Sequence, residues 1–354
     1  MLKVIQNRLL AVLSIREVRI YGSYAILLFV LALYYQSTFN DFVNFDDGIY
    51  VYNNYDIKNF TFKGLGKLFT NQFFGHYQPI TMLSYAIQYL FWGLNPMAYH
   101  IGNLVIHLLA VLFLISLTYK FTNRLSIALL AGLIFGIHPV NVESVSWIAG
   151  RNNLLSGMFY ILTLYVYLIH ISSGRNWKTY LLSLAVFICA LLSKSSAVTL
   201  PVLLFFIDWY YDRKIKFSRI IAKAPFFLLS LFFGILALIS AKAFGSMGKT
   251  LYEYSLLNKV LLVFSSIAFY IVMAVAPNNL KIFHFNPPVS DDGMMPVLFY
   301  LGPLVVIVVI LLLFYFRKFK RELLPGFVYF IVSVFIFLQF IPVGDAFVCE
   351  RYAY

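Results

Sequence analysis

Asp46 and Asp47, side by side in "FVNFDDGIYVYNN" (42–54), are the first residues of the chain whose types invite chemistry. Adjacent carboxylates repel, which raises one pKa toward the operating pH and suits that group to take a proton from an attacking hydroxyl. The pair can equally hold a divalent cation such as Mg or Mn, or simply sit in a solvated turn. Asn44, Asn53 and Asn54 flank it with amide donors able to fix carboxylate rotamers. Downstream, "GHYQP" offers His76 and Tyr77, and "AYHIGNLVIH" sets His100, Asn103 and His107 at i, i+3 and i+7, on one face of a helix. Seven residues place those two histidines about 10 Å apart along the axis, too far for one metal ion. His107, deeper in the apolar run, reads as glue between helices, whereas His100 near its outer end is a site candidate. "HPVNVESVSWIAGRNN" carries His138, Glu143 and Arg151. A single arginine there fits a phosphate or a carboxylate, and a Glu143–Arg151 salt bridge is the plainer alternative. Lys194 in "LLSKSSA", and Glu350 and Arg351 in "CERYAY", complete the set. The two cysteines, Cys189 and Cys349, make neither a disulfide framework nor a metal-ligand spacing.

The elements that must position these groups are membrane helices. Of the 354 residues 62% are hydrophobic and 19% aromatic, with a mean hydropathy of +0.84, which excludes an ordinary soluble domain. The formal charge is +13, but the basic residues gather in short clusters between apolar runs, so the charge speaks for cytoplasmic loops and against nucleic acid as a partner. Apolar stretches long enough to enter a bilayer run over 20–35, 99–118, 125–137, 154–171, 180–192, 197–211, 225–243, 297–316 and 328–341. The segment 79–94 is short and reads as a helix lying in the outer leaflet. The segment 260–276 is expected to dip in without crossing, because that returns Arg317, Lys318, Lys320 and Arg321 to the cytoplasm. With this topography 17 of the 27 basic residues are cytoplasmic, among them Lys3, Arg8, Arg16 and Arg19 of an uncleaved interfacial start over 1–19.

All the polar strings then fall outside: a first outer loop with amphipathic helices over 38–98, the "HP" loop, the "SK" tip, the loops around Glu253 and Asp291, and the terminal "CERYAY". Ionisable groups at membrane depth are expensive, so their convergence on one face points to a site. The 180–211 hairpin spans about 48 Å as helix, while two full crossings need about 60 Å, so its tip sinks below the outer surface. Lys194 sits at that tip, where a lipid-borne phosphate is an apt counterion and snorkelling to the interface is the alternative.

Taken in order, "FVNFDDGIYVYNN", "HYQPITMLSYAIQYLFWGLNPMAYHIGNLVIH", "GIHPVNVESVSWIAGRNNLLS", "LLSKSSAVTLPVLLFFIDW" and "ERYAY" resemble the bacterial relatives of the transmembrane and tetratricopeptide-repeat O-mannosyltransferases, which are C-type (GT-C) glycosyltransferases. The likeness covers nearly the whole chain. Each motif is weak alone; five in order are specific. The resemblance implies an all-α, polytopic transmembrane bundle of GT-C type, with about nine spans plus interfacial helices in one membrane-embedded domain over 1–354. It implies an enzyme that moves a sugar, a mannose-like hexose, with inversion. The donor is a polyprenyl-phosphate sugar and the acceptor a hydroxyl of a protein (Ser/Thr) or glycan outside the cytoplasm. A multi-pass protein of a bacterial inner membrane, its site facing the periplasm or outside, is the matching location.

The resemblance makes the first outer-loop acids catalytic, here Asp47 and Asp46. On such a donor one of them deprotonates the acceptor, while Lys194, Arg151 and Arg351 stabilise the departing phosphate. His76, His100, His138, Glu143, Tyr77, Asn103 and Glu350 are candidates to orient substrates, and membrane lipid surrounds the prenyl chain. A metal, if used, falls to Asp46 and Asp47. Two positions depart from the family: Ser195 follows the lysine of the "SK" motif where an acid is common, and Asn141 replaces a second histidine. Family members continue past this point into further spans and repeats; none are visible here, so a fragment without the repeat region is expected. A membrane transporter or flippase, or a non-catalytic scaffold, is the competing class.

Overall fold

In hydrocarbon every backbone N–H and C=O must be satisfied within its own segment, which leaves helices as the economical solution for so apolar a chain. The computed structural model describes residues 15–212, 217–245, 254–338, 340 and 346–354. Expectations for residues 1–14, including Lys3 and Arg8, for Arg213, Lys214 and Lys216, and for Glu253 lie outside the described residues, as do the side chains of Arg16, Lys320 and Arg321. Among the described residues of the chain 79% are helical. Its eleven main helices are α1 Ile15–Tyr34, α2 Pro79–Trp92, α3 Pro96–Thr122, α4 Leu125–Ile137, α5 Arg151–Ser172, α6 Trp177–Ser193, α7 Leu200–Asp212, α8 Ala224–Ala243, α9 Leu256–Val275, α10 Gly302–Tyr315 and α11 Lys320–Val334. Among the described residues the one sheet is a two-residue patch in which β1, His284–Phe285, pairs antiparallel with β2, Ala346–Val348.

Six helical stretches are long and apolar enough to cross a membrane: Glu17–Phe39, Pro96–Thr122, Ile148–Ser172, Phe217–Ala243, Leu256–Val275 and Val297–Tyr315. A seventh arises if α4 and the following Pro139–Ser146 count as one span bent by 49°. This is a multi-pass integral membrane protein. Among the described residues these six or seven do not include all of the expected nine: α6 (17 residues, about 26 Å), α7 (13 residues) and α11 (15 residues) are shorter, while Leu256–Val275 joins the set. The segment 260–276, expected to dip in, lies almost entirely within an unbroken 20-residue helix, Leu256–Val275, which no glycine or proline interrupts and which is long and apolar enough to cross. The segment 79–94 does form a short helix of mixed faces: Met82, Tyr85 and Ala86 are buried, while Leu90, Phe91 and Trp92 are exposed.

Packing explains which helices hold the site. Tyr160, Leu164 and Tyr167 of α5, Phe187 and Leu191 of α6, Leu200 and Leu204 of α7 and Phe226 of α8 form the main core. A second cluster, with Tyr50, Val51, Ile57, Leu68, Met82, Tyr85, Tyr99 and Ile148, anchors the first outer loop onto α2, α3 and the start of α5. Helix ends are closed locally: Asn95 accepts the Met97 N–H ahead of α3, Asn176 accepts the Lys178 N–H ahead of α6, and Asn123 ends α3 in the left-handed region at φ 55°.

The far end of α5 carries a charge network that sequence reasoning left without a role. Asp208 and Lys223, both buried, pair directly. Arg175 reaches Asp212 at 2.6 Å and Asp208 at 3.5 Å, Arg219 also pairs with Asp212, and the Tyr167 hydroxyl donates to Asp208 at 3.1 Å. The network ties α5, the loop before α6, α7 and α8 into one unit.

Candidate active site

The sequence after α1 turns sharply at the two acids. The Asp46 carbonyl accepts the N–H groups of Ile49 (3.1 Å) and Tyr50 (3.0 Å), and this tight turn sends adjacent carboxylates to different surroundings. Asp47 is 1% exposed, with Oδ2 accepting the Val43 N–H and Oδ1 the Ala149 N–H, both at 2.9 Å. It braces the first outer loop against the entry to α5. Asp46 is partly exposed, and no side-chain hydrogen bond engages its carboxylate among the described residues. Burial pushes the Asp46 carboxyl above the usual range, with the Arg351 guanidinium opposing. Burial raises Asp47 too, against the pull of the Val43 and Ala149 N–H groups, and the Asp46 charge adds to the rise. The flanking amides do not set either carboxylate: Asn54 caps the short helix Tyr55–Lys58 by accepting the Asp56 N–H and donates to the Tyr50 carbonyl.

Arg151, a phosphate candidate from its sequence position, lies inside the protein with partners of its own. It is 1% exposed and its donors are engaged: Nε to Asn103 Oδ1 at 2.7 Å, Nη2 to the Tyr99 carbonyl at 2.7 Å and Nη1 to Ser84 Oγ at 3.4 Å, with the guanidinium 4.4 Å from the Tyr85 ring. Gly102 makes room for it: a Cβ there would stand 2.3 Å from Gln88 Nε2 and 3.0 Å from Arg151 Nη2. Asn103, in turn, donates to the Trp147 carbonyl at 2.8 Å and so belongs to this brace. The alternative Glu143–Arg151 pair is absent as well, because Glu143 has another partner.

That partner is Arg351. Glu143 Oε1 accepts from the guanidinium at 2.9 Å and Oε2 from the Arg351 backbone N–H at 3.2 Å. The guanidinium lies 5.5 Å from the centre of the Tyr352 ring and 4.7 Å from that of Phe283. Lys194, which ends α6 in an extended conformation, places Nζ 5.1 Å from the same Tyr352 ring and donates to Asn153 Oδ1. Tyr352 is stacked on Phe337 at 4.3 Å. Arg351 is close enough to act electrostatically on Asp46 and on Lys194. The acid pair and both cations therefore share one end of the bundle: Ala149, which donates to Asp47, and Asn153, which accepts from Lys194, are four residues apart at the start of α5.

Beside them lies a cavity of about 390 Å³, lined by Arg351 and Tyr352, by Asn153, Ser156 and Tyr160 of α5, by Ser333 and Phe337 from α11 onward, and by apolar side chains of α4. His138 also lines it; its Nε2 meets the Ala274 carbonyl at 3.3 Å and its Nδ1 accepts the Val140 N–H. His76 is exposed and within the field of Lys194 and Arg351. Tyr77 packs against the main core, its hydroxyl donating to the Phe69 carbonyl at 2.9 Å. Three other candidates turn inward. His100 is 3% exposed and away from the cavity lining. His107 bridges the Tyr354 hydroxyl (2.9 Å) and the Gly136 carbonyl (3.1 Å), as helix glue should. Glu350, also 3% exposed, accepts from His284 at 2.8 Å and from the Lys281 N–H at 2.9 Å, clasping β1 instead of a substrate. Ser195 and Asn141 are partly or fully buried, and Asn141 donates to the Phe135 carbonyl.

The donor set does not suit a divalent cation. Both Asp47 oxygens already face backbone N–H groups, which repel a metal, and no three His, Cys, Asp or Glu side chains come together among the described residues.

Fold and site thus define a multi-pass helical membrane protein in which a partly exposed acid, Asp46, lies within the field of Arg351, and Arg351 shares the Tyr352 ring with Lys194 and lines a cavity. Sequence comparison gives this class a kinship. The chain is 31% identical over 206 residues to Protein O-mannosyl-transferase tmtc2 of Xenopus laevis, covering 54% of this chain and 24% of that protein. It is 34% identical over 142 residues to Protein O-mannosyl-transferase TMTC3 of Mus musculus (37% and 15%), and 30% over 201 residues to Protein O-mannosyl-transferase Tmtc1 of Drosophila melanogaster (53% and 22%). The chain is a relative of these protein O-mannosyl-transferases. The matched stretch spans less than a quarter of their own length. No protein-family profile matches the chain, and no solved structure does.

Proposed function

We propose that the chain is a membrane glycosyltransferase that takes a mannose-like sugar from a polyprenyl-phosphate donor and attaches it, with inversion, to a hydroxyl of a protein or glycan acceptor. The observation that carries this reading is the pairing of one unencumbered carboxylate, Asp46, with two cations, Arg351 and Lys194, held 5.5 and 5.1 Å from the same Tyr352 ring. The named activity of the relatives supports it.

In this mechanism the Asp46 carboxylate accepts the acceptor's O–H proton as that oxygen bonds to the anomeric carbon. The bond from the same carbon to the phosphate oxygen breaks on the opposite face, and its electron pair leaves with the polyprenyl phosphate. The phosphate gains negative charge as it departs, and Lys194 and Arg351 stand ready to balance it without reorganising. Asp47 and Arg151 act through the scaffold: one fixes the turn that presents Asp46, the other fixes the start of α5 that presents Asn153 and hence Lys194. The cavity's apolar wall toward α4 and α11 suits the lipid-proximal part of the donor. Basic residues concentrate on loops at the other end of the bundle, which supports a site on the non-cytoplasmic face, in a bacterium the periplasmic side of the inner membrane.

The test is transfer of radiolabelled mannose from a polyprenyl-phosphate donor by the chain in lipid nanodiscs, with Asp46→Asn as the comparison. Transfer by the unaltered chain that falls at least a hundredfold in D46N supports the reading. Equal transfer by both removes Asp46 from the base role, and movement of the labelled lipid across the bilayer without sugar transfer favours a flippase.

A further inference from the structure

The string "FFGHYQP" (73–79) folds back on itself before α2 begins. Phe73 and His76 exchange backbone N–H to C=O hydrogen bonds at 2.8 and 2.9 Å. The two residues between them lie in the left-handed region, Phe74 at φ 52° and Gly75 at φ 73°. A bulky side chain seldom takes that conformation unless its surroundings fix it. Here they do: the Phe74 ring lies 4.7 Å from that of Phe244, just past α8, and 6.4 Å from that of Tyr50, while Phe73 is buried in the second cluster. Beyond His76, Gln78 Oε1 accepts from Asn152 Nδ2 at 3.0 Å, and Thr81 Oγ1 donates to the Ser193 carbonyl at 3.0 Å. Asn152 adjoins Asn153, the anchor of Lys194, and Ser193 adjoins Lys194 itself, so this segment is pinned beside that cation.

The imidazole at the end of the turn is left open. His76 is exposed, and no side-chain hydrogen bond engages it among the described residues. Yet the protein around it desolvates the ring and, with the charges of Lys194 and Arg351, pushes its pKa down to about 4. A neutral imidazole offers one N–H donor without adding a third positive charge to the two already there. The ligand that two cations and a neutral donor can share is an anion. Resting on the transferase reading, we propose that His76 is a third ligand of the donor phosphate, its ring N–H donating to a phosphate oxygen alongside Lys194 and Arg351.

The experiment measures binding of a short-chain polyprenyl phosphate, the matching polyprenol and inorganic phosphate to the chain in phosphatidylcholine nanodiscs by titration calorimetry, beside sugar transfer. His76→Ala is expected to bind polyprenyl phosphate about 10- to 100-fold more weakly than the unaltered chain, the worth of a hydrogen bond to a charged group, and to bind polyprenol equally. His76→Gln, which restores an N–H donor, is expected to bind the phosphate more tightly than H76A. Equal phosphate affinity in H76A and the unaltered chain, or a parallel loss on polyprenol, overturns the assignment, while transfer by the unaltered chain leaves the transferase reading intact. Inorganic phosphate that competes at the same concentration as the lipid makes this a site for soluble anions and overturns the assignment too. An unaltered chain that binds the lipid phosphate but transfers no sugar fails the transferase reading alone, and the His76 contact is then judged by affinity. The turn is held by backbone bonds and the ring is exposed, so H76A is expected to fold; if its unfolding temperature shows otherwise, His76→Leu against H76Q gives the same comparison.

Discussion

Glu143 grips Arg351 twice, one carboxylate oxygen on the guanidinium at 2.9 Å and the other on the backbone N–H at 3.2 Å, across 208 positions of chain. The contact orients a cation that otherwise has only aromatic faces around it. Glu143→Ala is expected to lower sugar transfer by about 10- to 100-fold, the worth of one charge-assisted hydrogen bond, with Glu143→Gln in between because the amide oxygen still serves one of the two donors. Michaelis kinetics in nanodiscs check this, and an unchanged kcat/KM in E143A removes the orienting role.

The two acids should separate by mutation. Asp46→Asn is expected to keep the fold and lose transfer by about 10² to 10⁴, the usual worth of a general base. Asp47→Asn turns an amide N–H₂ against a backbone N–H, so it is expected to cost about 2–4 kcal/mol of stability, read as a lowered unfolding temperature in detergent. Loss of transfer in D47N at full stability, with D46N active, would reverse the assignment.

Activity and stability should respond to pH in opposite directions at this site. Burial raises the Asp46 carboxyl, and the base works only when ionised, so transfer should fall on acidification with a midpoint above the ordinary carboxylate value. Burial also raises Asp47, so folding with both groups ionised is unfavourable. Their contribution to stability is fully present below the unfolded-state carboxylate pKa and is lost as pH rises through the higher folded values. An acid limb that persists unshifted in D46N would assign it to another group.

Arg151 tests the brace. Arg151→Lys cannot reproduce three directed donors plus a stacked plane, so it should behave as a stability variant and not as a binding variant. An expected loss of about 2–4 kcal/mol follows from leaving Asn103 Oδ1 and the Tyr99 carbonyl buried and unmet. Donor KM measured on the folded fraction should stay within about twofold; a large rise would restore Arg151 to the phosphate site.

The charge network at the far end of α5 yields a last expectation. Lys223→Met leaves Asp208, 2% exposed, without its closest cation, and should cost about 3–5 kcal/mol. The double variant Lys223→Met with Asp208→Leu, which removes both charges, should recover most of that loss in thermal unfolding.

What the sequence made legible was the chemistry of residue types and the gross helical plan. Membrane helices follow from hydropathy alone, and the stripe His100, Asn103 and His107 does face protein, since all three are buried. The spacing could not say which of two adjacent acids turns inward, because that depends on the Val43 and Ala149 N–H groups meeting Asp47. Nor could it distinguish a charged residue that waits for a ligand from one already satisfied: Arg151 and Glu350 look exposed on a loop plan and are sealed by partners 48 and 66 or more residues away. Hydropathy marked α6 and α7 as apolar stretches but could not give their length, 17 and 13 residues, which the structure supplies.

Tyr354 reaches across the bundle to His107, and Arg351 beside it meets groups made some three hundred residues earlier. During biosynthesis the ribosome must release nearly all of the preceding helices into the bilayer before this late aromatic segment can dock. A nascent chain therefore carries Asp46 through some three hundred further residues of synthesis before Arg351 can accompany it, so the proposed centre cannot form until the intervening helices have been made.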